Sequence, residues 1–398
     1  MEGRALVEII RGVLAALLSP GPPRFASLAL AGLLLAGPAS AASLGVMGDS
    51  LSDEYAEASY GGYAENWVEQ LELYASFDLG PTASEAGEPG GSWGEPRRTG
   101  YEYNWARSGA SSDTLLSGGQ HTGLAAHVVS DGVEYAVLAI GSNDFNPTGA
   151  AYSNIYNGTW SSSTIESYVA QRLANIEAAL DVVLPTGVEL VLVNAPDYGI
   201  SPTVQSYYPD PVKREQVRDV IAQMNAGILG IAQRRRLVLV DMAGAIVAIF
   251  GPHASPNTVL SIGNVAIYLQ QSDTSGGGNP TGAFVDDGVH PNTTLQGIIA
   301  NAVMEALNIA YGANLSLFSE AEILAHRGLA YGGSDTLPAQ LGDYADYVRN
   351  YAFPPPVPAL SAPGLALLCA LMLAAALVAL PERRGRQARS AVSGDGVR

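Results

Sequence analysis

Four short stretches of the chain carry residue types that can do chemistry together. Ser50 lies in Gly48-Asp49-Ser50-Leu51-Ser52-Asp53, just past the apolar run at 44–47. A serine hydroxyl is a weak nucleophile until a base accepts its proton. Beyond the carboxyl end of a parallel strand it stands where open α/β sheets place ligands. The second stretch, Asp287-Gly288-Val289-His290-Pro291-Asn292, holds one of only five histidines. On a tight loop, an aspartate three residues earlier can reach Nδ1 and leave Nε2 free to face a serine. The third is Gly141-Ser142-Asn143-Asp144, where the Asn143 amide can donate to a developing oxyanion. The fourth runs from Asn104 to Ser111, where Gly109 and its small neighbours let a backbone N–H approach a ligand closely.

Each stretch alone has a plainer reading. The first suits a capped strand-to-helix turn, with Asp49 and Asp53 as turn and helix-start residues. The second suits a surface loop with incidental acids, since Asp286 is also present. The third suits a helix cap. His121, His127, His253 and His326 show no metal-ligand spacing and read as surface or core histidines.

The elements that must position these residues alternate between strand and helix, which argues an α/β fold with a parallel sheet. Residues 44–47, 135–140, 188–194 and 237–241 are short apolar runs without polar alternation, as expected of strands covered on both faces. Helical periodicity covers 165–180, 211–234 and 294–310. Pro211 opens the second of these helices and Asn292-Thr293-Thr294 caps the third. Residues 80–103 and 270–282 read as loops, and no stretch reads as a lid helix. Residues 313–352 contain a short helical pattern and tyrosines; packing on the domain and leading away from it both remain open.

Taken together, the four stretches resemble the GDSL/SGNH hydrolase family. Its serine, glycine, asparagine and histidine correspond here to Ser50, Gly109, Asn143 and His290, in the family's order, over roughly residues 44–311. The segment Asn194-Ala195-Pro196-Asp197-Tyr198-Gly199 is also similar, more loosely, to a family loop near the site. The resemblance implies a flavodoxin-like three-layer α/β fold with a central parallel sheet. It implies a triad of Ser50, His290 and Asp287, and an oxyanion hole of the Ser50 and Gly109 backbone N–H groups with the Asn143 side chain. No metal or organic cofactor is implied. The expected activity is ester hydrolysis, with short-chain or acetyl esters favoured. A polysaccharide deacetylase or acyltransferase would use the same groups. A non-catalytic surface protein would instead bind glycans through tyrosines such as Tyr55, Tyr60, Tyr63, Tyr101 and Tyr103.

The net charge of −18, with Lys213 the only lysine, disfavours nucleic acid and anionic lipid headgroups as partners. Cys369 is the only cysteine, so no intrachain disulfide forms. Residues 1–41 read as a signal peptide, with an apolar stretch at 26–38 and Ala39-Ser40-Ala41 as the cleavage site. The hydrolase domain is expected at 42–312 and an appendage with a proline-rich spacer at 313–356. Residues 357–380 are long and apolar enough to span a bilayer, and the basic tail at 381–398 places that end in the cytoplasm. Pro354-Pro355-Pro356, the span and the arginines resemble the PEP-CTERM sorting segments of Gram-negative bacteria. The expected protein is therefore exported. It is either anchored by its C-terminal helix or released to the cell surface by an exosortase-like enzyme.

Overall fold

A computed structural model of the chain describes residues 41–95, 97–274 and 276–352. Apart from Ala41, the expected signal peptide, membrane span and basic tail lie outside the described residues. Among those described, no helix is long and apolar enough to cross a membrane.

In chain order the elements are β1 (Leu44–Gly48), α1 (Trp67–Tyr74), α2 (Ser112–Ser117), α3 (Gln120–Asp131), β2 (Tyr135–Ala139), α4 (Ala150–Tyr156), α5 (Ser162–Val183), β3 (Glu189–Val193), α6 (Pro202–Tyr207), α7 (Pro211–Arg235), β4 (Val238–Val240), α8 (Met242–Phe250), β5 (Val259–Ile262), β6 (Val265–Ser272), β7 (Gly282–Phe284), α9 (Thr293–Tyr311), α10 (Glu320–His326), α11 (Pro338–Leu341) and β8 (Val348–Asn350). Strands β1 to β4 pair in parallel, in sequence order, and β8 closes the far edge antiparallel to β4.

Side chains alternate across these strands with period two. Leu44, Val46, Val137, Val191, Val193, Val238 and Val240 enter one core, with α8 and α9. Met47, Ala136, Leu138, Leu190, Leu192 and Leu239 enter the other, with α5 and α7. Both faces are therefore covered, which is why the runs look uniformly apolar. The result is the expected three-layer α/β fold with a mostly parallel central sheet.

A doubly wound sheet carries a further strand outside β1. Here residues 103–107 hold that place without forming a full ladder. Val46 N–H donates to Tyr103 O (3.0 Å), Trp105 N–H to Val46 O (2.8 Å) and Arg107 N–H to Gly48 O (3.1 Å). The chain thus leaves β1 first to one side and then to the other. Ser50 sits at this point of divergence, where such sheets open a crevice.

Residues 313–352 pack on the domain. Ile323 and Leu324 of α10 are fully buried, and β8 completes the sheet. The loop expected at 270–282 begins later, because β6 extends to Ser272 and forms a small separate sheet with β5 and β7.

Candidate active site

The structure brings Ser50, His290 and Asp287 into one line. Ser50 Oγ lies 2.7 Å from His290 Nε2, and His290 Nδ1 lies 2.5 Å from Asp287 Oδ2. The local chain makes this geometry. Asp287 Oδ1 accepts from Val289 N–H (2.8 Å) and His290 N–H (3.0 Å), which closes the loop on itself. Gly288 turns within it at φ +66°, a conformation that disfavours any side chain. Asn292 caps α9 through Leu295 N–H and donates to Gly282 O (2.5 Å), so the loop is pinned between β7 and α9. From outside, Thr203 Oγ1 donates to Asp287 O (2.6 Å).

Burial alone would raise the Asp287 carboxyl. The hydrogen bond and charge of His290 and the two loop N–H groups outweigh it and hold the group below its ordinary value. Tyr60 is tilted over the His290 ring at 5.8 Å, and Tyr55 meets it edge-on at 6.3 Å. Tyr55 is 1% exposed and Tyr60 7%, so neither offers a face on which a sugar could stack.

Gly109 is exposed, in a turn at φ +80°, and a Cβ there would touch nothing within 4 Å. Its requirement is conformational rather than spatial. Asn143 Nδ2 donates to Ala110 O (3.2 Å), and its Oδ1 accepts from Asn146 Nδ2 (3.0 Å). The amide is therefore oriented toward the Gly109 turn, with its second N–H still to give.

Three positioning contacts, those of Asp53, Gln120 and Asp197, were not evident from sequence. Asp53 accepts from Ser108 N–H (2.6 Å) and Arg107 Nη1 (3.0 Å), fastening the Gly109 turn to the serine loop. Contrary to the helix-start role expected from the sequence, Asp53 begins no helix; after a single turn at Tyr55–Glu57 the next helix is α1. Gln120 grips both backbone groups of Gly48, accepting from its N–H (2.9 Å) and donating to its carbonyl (3.0 Å). Tyr198 is buried with its phenol beside Ser50 and Ser142, and burial pushes that phenol well above its ordinary value. Its neighbour Asp197 is held 2.7 Å from Nε2 of buried His253, so this histidine braces the Asn194–Gly199 segment. Asp49 is a turn residue. Its Oδ1 accepts from Leu51 N–H (3.0 Å), and burial pushes the carboxyl up to about 6.

Two more buried acids give the site a pH-dependent stability. Glu54 accepts from Tyr101 N–H (2.8 Å), and Glu69 accepts from Tyr55, Ala56 and Asn66 N–H groups. Burial pushes Glu54 up to about 8 and Glu69 to about 7. An unfolded chain releases such protons near pH 4.3 (about the free glutamate value). Between about pH 5 and 8 the folded protein binds more protons than the unfolded one, so stability falls as pH rises. Thermal unfolding should show Tm dropping across this range. Glu54→Gln, which keeps the bond from Tyr101, should flatten the drop; a wild-type Tm that climbs with pH would contradict this account.

The profile of the GDSL-like lipase/acylhydrolase family matches residues 44–303. The chain belongs to this family and is by class an ester hydrolase. Among solved structures it is similar to a GDSL-like lipase from Bacteroides thetaiotaomicron, at 16% identity and TM-score 0.35, over 71% of this chain and 98% of that one. It is similar to an acetylxylan esterase from Geobacillus stearothermophilus at 17% identity and TM-score 0.36, over 67% and 94%. An extracellular lipase from Streptomyces rimosus aligns at 17% identity and TM-score 0.34, over 67% and 99%. No curated protein matches the sequence.

Proposed function

We propose that the protein hydrolyses carboxylic esters through an acyl-enzyme on Ser50. The observation that carries this reading is the unbroken Ser50–His290–Asp287 hydrogen-bonded line, with spacings of 2.7 and 2.5 Å. His290 Nε2 takes the Ser50 proton as Oγ attacks the ester carbonyl carbon. Asp287, ionised at neutral pH, holds Nδ1–H and stabilises the imidazolium. The oxyanion is received by the Ser50 and Gly109 backbone N–H groups and the second N–H of Asn143. Collapse expels the alcohol, which takes the proton from His290. Water then repeats the sequence and releases the acid.

A pre-steady-state burst of p-nitrophenol equal to the enzyme concentration, with Ser50 labelled by a fluorophosphonate, tests the reading. Turnover with neither burst nor labelling, even on slowly deacylated esters, counts against it. Asn143→Ala should lower kcat by about 10²–10³ with little change in KM, because the donor acts on the transition state. A change confined to KM would remove Asn143 from the oxyanion site.

Transfer of the acyl group to a sugar, or removal of acetyl from a glycan, would use the same steps. Competition between an acetylated glycan and p-nitrophenyl acetate separates these. Burial of Tyr55 and Tyr60 weakens the alternative of a purely glycan-binding protein. We further propose, from the apolar runs at 26–38 and 357–380, that the enzyme works outside the cytoplasm, held at the membrane or released by an exosortase-like enzyme. Unchanged fractionation after truncation at Pro356 would refute the C-terminal part.

A further inference from the structure

Beside the serine loop lies an apolar cavity lined by residues of the serine and histidine loops, α8 and α9. Four of its lining residues belong to the catalytic loops: Leu51 follows Ser50, Val289 and Pro291 flank His290, and Tyr198 sets its phenol beside Ser50. From there the cavity runs between α8 and α9 and under the segment after α11, past Ala245, Ile249 and Tyr344. Ser50, His290, Gly109 and Asn143 do not themselves line it; Leu51, Tyr198, Val289 and Pro291 bring it up to the serine and histidine, on the side away from the Gly109 turn and Asn143.

We propose that this cavity holds the acyl chain of the substrate, and that the enzyme selects medium-chain esters over acetyl esters. The proposal rests on the acyl-enzyme reading above and departs from the short-chain expectation drawn from sequence. Of the two halves of an ester, the alcohol must leave and be replaced by the deacylating water beside His290. That side must be wet. The acyl group stays bonded to Ser50 Oγ through both steps and gains by sitting in a dry, apolar space. The interior is bounded and has room for several methylenes, more than an acetyl group fills.

The test uses the full-length protein and p-nitrophenyl esters from acetate to palmitate. The value of kcat/KM should rise about fourfold per methylene, reach its maximum near hexanoate to octanoate, and fall for palmitate. Ala245→Phe should cut the octanoate-to-acetate ratio at least tenfold. Ile249→Ala should move the maximum to longer chains, which keeps the test alive if the larger side chain prevents folding. Ethyl octanoate should be a better substrate than octyl acetate. A Ser50-dependent profile that is flat or falls from acetate to octanoate overturns the proposal, as does a preference for octyl acetate. Calorimetry of octanoate binding to Ser50→Ala separates the two claims. Binding that Ala245→Phe removes supports the cavity even if Ser50 proves unreactive; absence of binding overturns it.

Discussion

Ser50→Ala should lower kcat on p-nitrophenyl esters by about 10⁴–10⁶ while leaving the fold intact. The substitution removes one oxygen and nothing that the turn depends on. Residues 49–53 are held by Asp49, whose carbonyl accepts from Ser52 N–H (3.0 Å) and Asp53 N–H (2.9 Å) and whose side chain accepts from Leu51 N–H. Gln120 continues to grip Gly48, and Asp287 continues to hold His290. The Tm of the variant should therefore stay close to that of the wild type, and fluorophosphonate labelling should vanish. What survives is the help that the oxyanion donors give to direct attack by water. Undiminished turnover by folded Ser50→Ala protein would end the proposed mechanism.

The site was legible in sequence because each part is local. An aspartate three residues before a histidine, with a glycine between them, closes its own loop, so Asp287–His290 could be read without knowing what faced it. The strands at 135–139, 189–193 and 238–240 were legible because burial on both faces leaves uniformly apolar runs. What sequence did not show depends on distant pairing. Asp53 meets Ser108, Gln120 meets Gly48 and Asp197 meets His253, each across more than fifty residues. No local pattern distinguishes such a side chain from a solvated one.

The small sheet is a different case, because its signal was present. Ile262-Gly263-Asn264-Val265 joins β5 to β6, with Gly263 at φ +56° and Asn264 at φ +64°. A Gly-Asn pair between two β-branched stretches is a hairpin turn. The polar tail Gln270-Gln271-Ser272 of β6 obscured it, since those residues resemble the loop that follows. Helix α8 was hidden by composition. Met242–Phe250 has no polar face that would reveal a helical period: Met242, Ala245, Ile249 and Phe250 turn to the core and the cavity, and the outer side is apolar too, with Val247 44% exposed. The element that bears most on substrate choice is thus among those that sequence periodicity reads least well.

Asp287→Asn should cost about 10⁴ in kcat, far more than loss of one hydrogen bond. The amide oxygen can still accept from Val289 and His290 N–H, so the loop keeps its shape. The amide nitrogen, however, then faces Nδ1, where Oδ2 stood at 2.5 Å. Two N–H groups cannot share that contact. The imidazole must place its proton on Nε2, toward Ser50, and it can no longer accept the serine proton. The defect is one of tautomer rather than position. It predicts that Asp287→Asn lowers kcat much more than it raises KM, and that octanoate binding is retained. Because Asp287 acts only through His290 and Ser50, the double variant Ser50→Ala/Asp287→Asn should be no slower than Ser50→Ala alone. Additive losses in the double variant would mean that Asp287 serves some step in which Ser50 takes no part, and the linear Ser50–His290–Asp287 relay would have to be abandoned.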